Sequence, residues 1–118
     1  MSQKIPPKVQ QYIKQLDDLQ KSYAAILAQK QSLEAQLTEI KNALDELNKA
    51  KDDTDIYKIA GSILLKVEKS KVESDLKESK ELLETRLKVL ESQEKRLAEE
   101  IRKLNEEISK ALRTAQPI

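Results

Sequence analysis

The chain has no cysteine, no histidine, no tryptophan and no phenylalanine, and only one glycine among its 118 residues. Each absence removes a class of chemistry. Without cysteine there is no disulfide staple, no thiolate nucleophile and no cysteine-based metal site. Without histidine the many serines lack the base that most often activates a hydroxyl. A single glycine cannot supply a phosphate-binding P-loop or a dinucleotide-binding glycine loop, so nucleotide binding through either is excluded. Carboxylates are plentiful, but general acid–base work needs a desolvated pocket that shifts a pKa, and two long amphipathic helices offer little such space. The expectation is a protein that is not an enzyme, with no cofactor, no catalytic residue and no metal site.

Other shortages concern partners. Aromatic residues make up 3% of the chain and the AVILMFWYC set 38%, while 36% is charged. That is too little bulk for a thick globular core, and it suits a narrow seam between helices whose other faces are solvated. Net charge is +1, with both signs interleaved. No basic block marks a nucleic-acid or anionic-lipid surface, so neither nucleic acid nor membrane is expected as a partner. The Lys/Glu-rich stretches around 77–81 and 99–106 read as solubility and ion-pair faces. No apolar run approaches the ~18 residues of a membrane span. The N-terminal lead lacks the apolar stretch of a signal peptide. A cytoplasmic location is the expectation.

What is present is heptad periodicity on both sides of Gly61. The first ladder is Val9, Tyr12, Leu16, Leu19, Tyr23, Ile26, Lys30, Leu33, Leu37, Ile40, Leu44 and Leu47. The second is Leu76, Lys80, Leu83, Leu87, Leu90, Glu94, Leu97, Ile101, Leu104, Ile108 and Ala111. Apolar residues at this spacing form one stripe along a helix that pairs with a second stripe. The spacing predicts a first helix over about 7–50, with Pro7 at its first position where a missing N–H costs nothing. It predicts a second over about 70–114, opened by the capping box Ser70-x-x-Glu73 and stopped by Pro117. Lys49 and Lys51 suit the negative end of the first helix.

Between the helices, about 52–69, the pattern becomes that of a β-hairpin. Asp52, Asp53, Thr54 and Asp55 read as a turn. Residues 56–60 and 63–68 are β-prone, and Gly61-Ser62 suits a two-residue type II′ turn with glycine first. That register places Ile56, Ala60, Ile63, Leu65 and Val67 on one face and Tyr57, Ile59 and Leu64 on the other. The fold class is therefore mainly α: a long antiparallel two-helix coiled-coil hairpin with a short β-hairpin at its closed end, one unit spanning 1–118. If the chain folds back at Gly61-Ser62, Tyr12 meets the level of Ala111. Lys30 and Glu94, both polar interruptions of the seam, then fall at about the same height, where such residues fix register.

Two surfaces remain for function. A lone two-stranded hairpin is marginal in water, and this one carries apolar residues on both faces with open edges. Several chains pooling their hairpins into a shared sheet or barrel would solve this. The candidate oligomerisation residues are Ile56, Tyr57, Ile59, Gly61, Ile63, Leu64, Leu65 and Val67. The alternative is a hairpin folded back on its own helix ends. Where the termini meet, Ile5, Val9, Tyr12, Ile13 and Leu16 lie with Ile108, Ala111, Leu112 and Ile118, and the stripe widens there because Ile13 and Leu112 lie beside the heptad positions. Those residues read either as ordinary seam burial with fraying or as an adaptable apolar surface for another polypeptide.

The segment Ile56-Tyr57-Lys58-Ile59-Ala60-Gly61-Ser62-Ile63-Leu64-Leu65 resembles the hairpin of prefoldin, in its shorter β class of the archaeal kind. Ile5-Pro6-Pro7-Lys8-Val9-Gln10 before the first helix supports the resemblance, as do Leu83-Glu84-Thr85-Arg86 and Leu90-Glu91-Ser92-Gln93 in the second. The resemblance implies a heterohexamer of two α-class and four β-class subunits around a double β-barrel platform. It also implies ATP-independent capture of unfolded polypeptides at the coiled-coil tips and delivery to a group II chaperonin. The rival reading is a coiled-coil spacer or tether without chaperone activity.

Overall fold

The computed structural model describes residues 5–115. Their element order is α1 (Pro7–Lys49), β1 (Ile56–Ala60), β2 (Ile63–Val67) and α2 (Lys69–Ala115). Pro117 and Ile118, expected to end α2 and to join the apolar tip, lie outside the described residues. Among the described residues no helix is long and apolar enough to cross a membrane.

The ladders become the buried stripe. Among the described residues the core consists of Val9, Leu37, Leu47, Leu83, Leu90 and Leu97, each at most 9% exposed. Every other ladder position of both helices is half-buried, including Lys30, Lys80 and Glu94. Positions between the rungs are mostly exposed, which is the narrow seam that the composition allowed. Sealing a leucine into such a seam stabilises the pair by roughly 1.5–3 kcal/mol per fully buried side chain.

Helix ends follow local rules, with one departure. The amide of Gln10 bonds the Pro6 carbonyl at 3.0 Å, so Pro6 caps α1 and Pro7 takes its first position. At the other end the Ala50 amide is shared between the Glu46 and Leu47 carbonyls at 3.1 and 3.3 Å, a tightened last turn. The Thr54 amide then bonds the Lys51 carbonyl at 3.0 Å and closes a turn before β1. The departure is at α2. The Val72 amide bonds the Glu68 carbonyl at 3.1 Å, which makes Glu68 the cap, two residues ahead of the expected Ser70. Ser70 lies inside the first turn, because β2 ends at Val67 and hands its backbone to the helix across a single residue.

The residues group into two units. One is Gln31–Lys88 and contains the β-hairpin. The other is built from the two ends of the chain, up to Lys30 and from Val89 onward. Within this terminal unit the helices run antiparallel. Tyr12 and Ala111 line one groove, and Lys30 Nζ lies 3.0 Å from Glu94 Oε2.

Candidate functional site

The hairpin is an antiparallel pair in the register Ile56 with Val67, Tyr57 with Lys66, Lys58 with Leu65, Ile59 with Leu64 and Ala60 with Ile63. Gly61 and Ser62 form its two-residue loop. Gly61 has φ of +61°, and it is the one residue with positive φ among those described. A type I′ turn would need positive φ at Ser62 as well, so the turn is the II′ form, which matches strand twist. No atom lies within 4 Å of where a Cβ on Gly61 would sit, so its requirement for glycine is conformational, not steric.

This register puts Ile56, Lys58, Ala60, Ile63, Leu65 and Val67 on one face and Tyr57, Ile59, Leu64 and Lys66 on the other. Ile59 is 74% exposed and its cross-strand partner Leu64 66%. Ile63, Tyr57 and Leu65 are each about half exposed or more. Ile56 and Val67, at the base, are half-buried. The sheet has two strands, so each strand keeps one edge with unpaired backbone groups. Large apolar side chains are thus concentrated and exposed on a small element, an arrangement uncommon on the surface of a lone soluble chain.

Below the hairpin lies a groove lined by polar side chains, among them Asp52, Asp55, Lys66, Glu68, Lys69 and Glu73. Lys69 Nζ donates to the Ala50 carbonyl at 3.0 Å and lies 3.5 Å from Asp52 Oδ1. Lys66 Nζ sits 3.2 Å from Asp55 Oδ1. Sequence reasoning assigned the end of α1 to Lys49 and Lys51. Lys49 does lie in the last turn of α1, where it pairs with Asp45 at 3.1 Å. The cation that reaches a carbonyl at that end is Lys69, nineteen residues beyond Ala50 in the chain. No periodic signal could have found it, because the contact is made only when the chain returns.

In the terminal unit the residues expected to form an apolar tip divide into two groups. Val9 is sealed at 1% exposure, while Tyr12, Leu16, Ile108 and Ala111 are half-buried. Ile5, Ile13 and Leu112 are 47%, 45% and 42% exposed and supply the outward apolar area. Ile5 is held in place through its carbonyl, which accepts a 2.9 Å hydrogen bond from Gln10 Nε2. A groove runs beside them between Pro6, Val9, Tyr12, Ala111 and Thr114, rimmed by Lys8, Glu107 and Lys110. Lys8 Nζ stands 5.7 Å from the centre of the Tyr12 ring, within cation–π range.

Shifts in pKa fall on the helix surfaces, away from both candidate surfaces. Hydrogen bonding from Arg102 holds the Glu99 carboxyl below its ordinary value, and the same bond raises the Arg102 guanidinium. A hydrogen bond to Asp17 raises Lys21. These are solvent-exposed pairs of adjacent helical turns. Among the described residues no group of three or more Asp or Glu side chains is placed to hold a metal ion.

Comparison with known proteins adds independent information. The family described as Prefoldin subunit matches residues 10–115. Among curated relatives, a prefoldin subunit beta of Pyrococcus horikoshii is 44% identical over 85 residues, covering 72% of this chain and 73% of the relative. That of Thermococcus onnurineus is 43% identical over 85 residues with the same coverage. That of Sulfolobus acidocaldarius is 38% identical over 86 residues, 73% of this chain and 69% of the relative. Among solved structures, the crystal structure of the prefoldin beta subunit from Thermococcus strain KS-1 superposes with a TM-score of 0.87 at 41% identity. It covers 98% of this chain and 100% of that one.

Proposed function

The chain belongs to the prefoldin subunit family, a family of chaperone subunits, and from that premise we propose that it is an ATP-independent holdase subunit working within a hetero-oligomer. The hairpin carries the reading. Its large apolar side chains stand exposed on both faces, with open strand edges beside them. Pairing with the hairpins of other subunits buries those faces and satisfies those edges in one step. The partner is an α-class subunit, in a hexamer of two α and four β chains whose hairpins close into barrels.

Clients are unfolded polypeptides. They meet the terminal unit at Ile5, Ile13 and Leu112, with Tyr12, Leu16, Ile108 and Ala111 behind them. Each such surface is small, so a single contact is weak. Several of them on one assembly raise the local concentration of binding sites and turn weak contacts into capture. Weak individual contacts also permit release to a group II chaperonin without nucleotide hydrolysis. The protein works in the cytoplasm.

The test is light scattering from a heat-denatured client, without ATP, in the presence of this chain assembled with an α-class partner. Scattering should fall in proportion to the assembly added. Unchanged scattering at molar excess would leave only the spacer or tether reading.

A further inference from the structure

Two linkers join the hairpin to its helices, and they differ in slack. Only Glu68 separates β2 from α2, whereas residues 50–55 separate α1 from β1. The α2 side therefore holds the hairpin closely, and the α1 side has the length to let it swing. Both ends of the slack loop are gripped by lysines of the returning limb. Lys66 Nζ lies 3.2 Å from Asp55 Oδ1, and Lys69 Nζ lies 3.0 Å from the Ala50 carbonyl and 3.5 Å from Asp52 Oδ1.

These grips are unequal. The Lys66 and Asp55 side chains are 66% and 59% exposed, and Asp52 is fully exposed, so water screens both ion pairs. The Lys69 side chain is only 20% exposed, and its contact with Ala50 is to a carbonyl just past the last turn of α1. Such a carbonyl lacks an intrahelical partner and sits at the negative end of the helix dipole, where an ammonium is well placed.

We propose that Lys69 is a positioning residue: by binding the Ala50 carbonyl it locks the 50–55 loop and fixes the hairpin in one attitude within its unit, ready to associate. The part of this concerning association rests on the assembly reading above; the lock itself does not. A pre-set hairpin loses less freedom when it pairs, which tightens association.

The experiment compares Lys69→Met, Lys69→Arg and Asp52→Asn in the full chain. Amide hydrogen exchange over residues 50–56 is measured on the chain alone. The concentration midpoint of the complex with an α-class subunit is measured by native mass spectrometry. Lys69→Met keeps the apolar stem and removes the donor. It should speed exchange about tenfold, the worth of one hydrogen bond from a charged donor, and raise the midpoint by a similar factor. Lys69→Arg should restore most of both, and Asp52→Asn should change neither. Exchange in Lys69→Met that matches the parent chain overturns the lock, as does an Asp52→Asn effect of equal size. Faster exchange with an unmoved midpoint overturns the link to association. If the parent chain forms no complex at all, the assembly reading fails, while the exchange result still decides the lock.

Discussion

Lys30 and Glu94, charged rungs of two largely apolar ladders, meet each other, Nζ to Oε2, at 3.0 Å, with side chains 25% and 22% exposed. A charge set into a seam is costly unless its partner arrives at the same height, so the contact disfavours every pairing of the two ladders except this one. It should behave as a register lock more than as a source of stability. A double-mutant cycle with alanine at both sites should show a coupling of about 1 kcal/mol. Lys30→Leu with Glu94→Leu should raise the melting temperature while permitting slipped pairings, detectable by engineered cysteine cross-linking at neighbouring rungs. No coupling in the cycle would remove the lock.

Gly61 offers a cleaner test of backbone conformation, because space is not at issue there. With φ of +61° and nothing within 4 Å of the point that an alanine methyl would occupy, Gly61→Ala changes only the torsional cost. That cost is roughly 1–2 kcal/mol for an L-residue in the left-handed region. The hairpin should loosen, with faster amide exchange across residues 56–67, while helical circular dichroism stays constant. An alanine variant with unchanged exchange would mean that the turn readily adopts another form.

The hairpin faces should govern assembly. Replacing Ile63, Leu65 and Val67 with lysine places three charges on one face, opposite Ile56, Lys58 and Ala60. Burying them unpaired in a shared sheet is prohibitive. The variant should keep its helix content and lose the oligomer, as read by light scattering of its mixture with an α-class subunit. A complex of parental mass would refute assembly through that face. Ile59→Lys with Leu64→Lys, a directly opposed pair on the other face, tests whether both faces are covered.

How far the sequence reached depends on how local the deciding interaction is. The ladders are periodic over many turns, and each rung from Val9 to Leu47 and from Leu76 to Ala111 is buried or half-buried. The Gly61-Ser62 turn was equally legible, since one residue type meets one torsional need. The cap of α2 was not. Ser70 and Glu73 carry the right side chains for a capping box, but the end of β2 at Val67 leaves the backbone helical from Lys69 and overrides them. Lys69 itself was illegible, because its carbonyl partner is remote in the chain. The candidate tip was legible in part. Heptad spacing puts Val9 on a rung and leaves Ile13 beside it, but only packing shows that Val9 is sealed at 1% exposure while Ile13 stays 45% exposed.

That division gives the terminal unit its sharpest prediction. Val9, at 1% exposure, is a seam residue, so Val9→Ala should cost about 1–2 kcal/mol of stability through lost packing. Ile5, Ile13 and Leu112 are close to half exposed, so serine at all three should alter stability by well under that amount. If clients engage this surface, the triple variant should assemble normally yet lose most of its suppression of client aggregation, because each weak site is multiplied across the assembly and so is its loss. Val9→Ala should show the reverse: a lower melting temperature, with suppression retained below it. Thermal denaturation and client light scattering, run on both variants, separate the two roles. Undiminished suppression by the triple variant would move the client surface away from Ile5, Ile13 and Leu112.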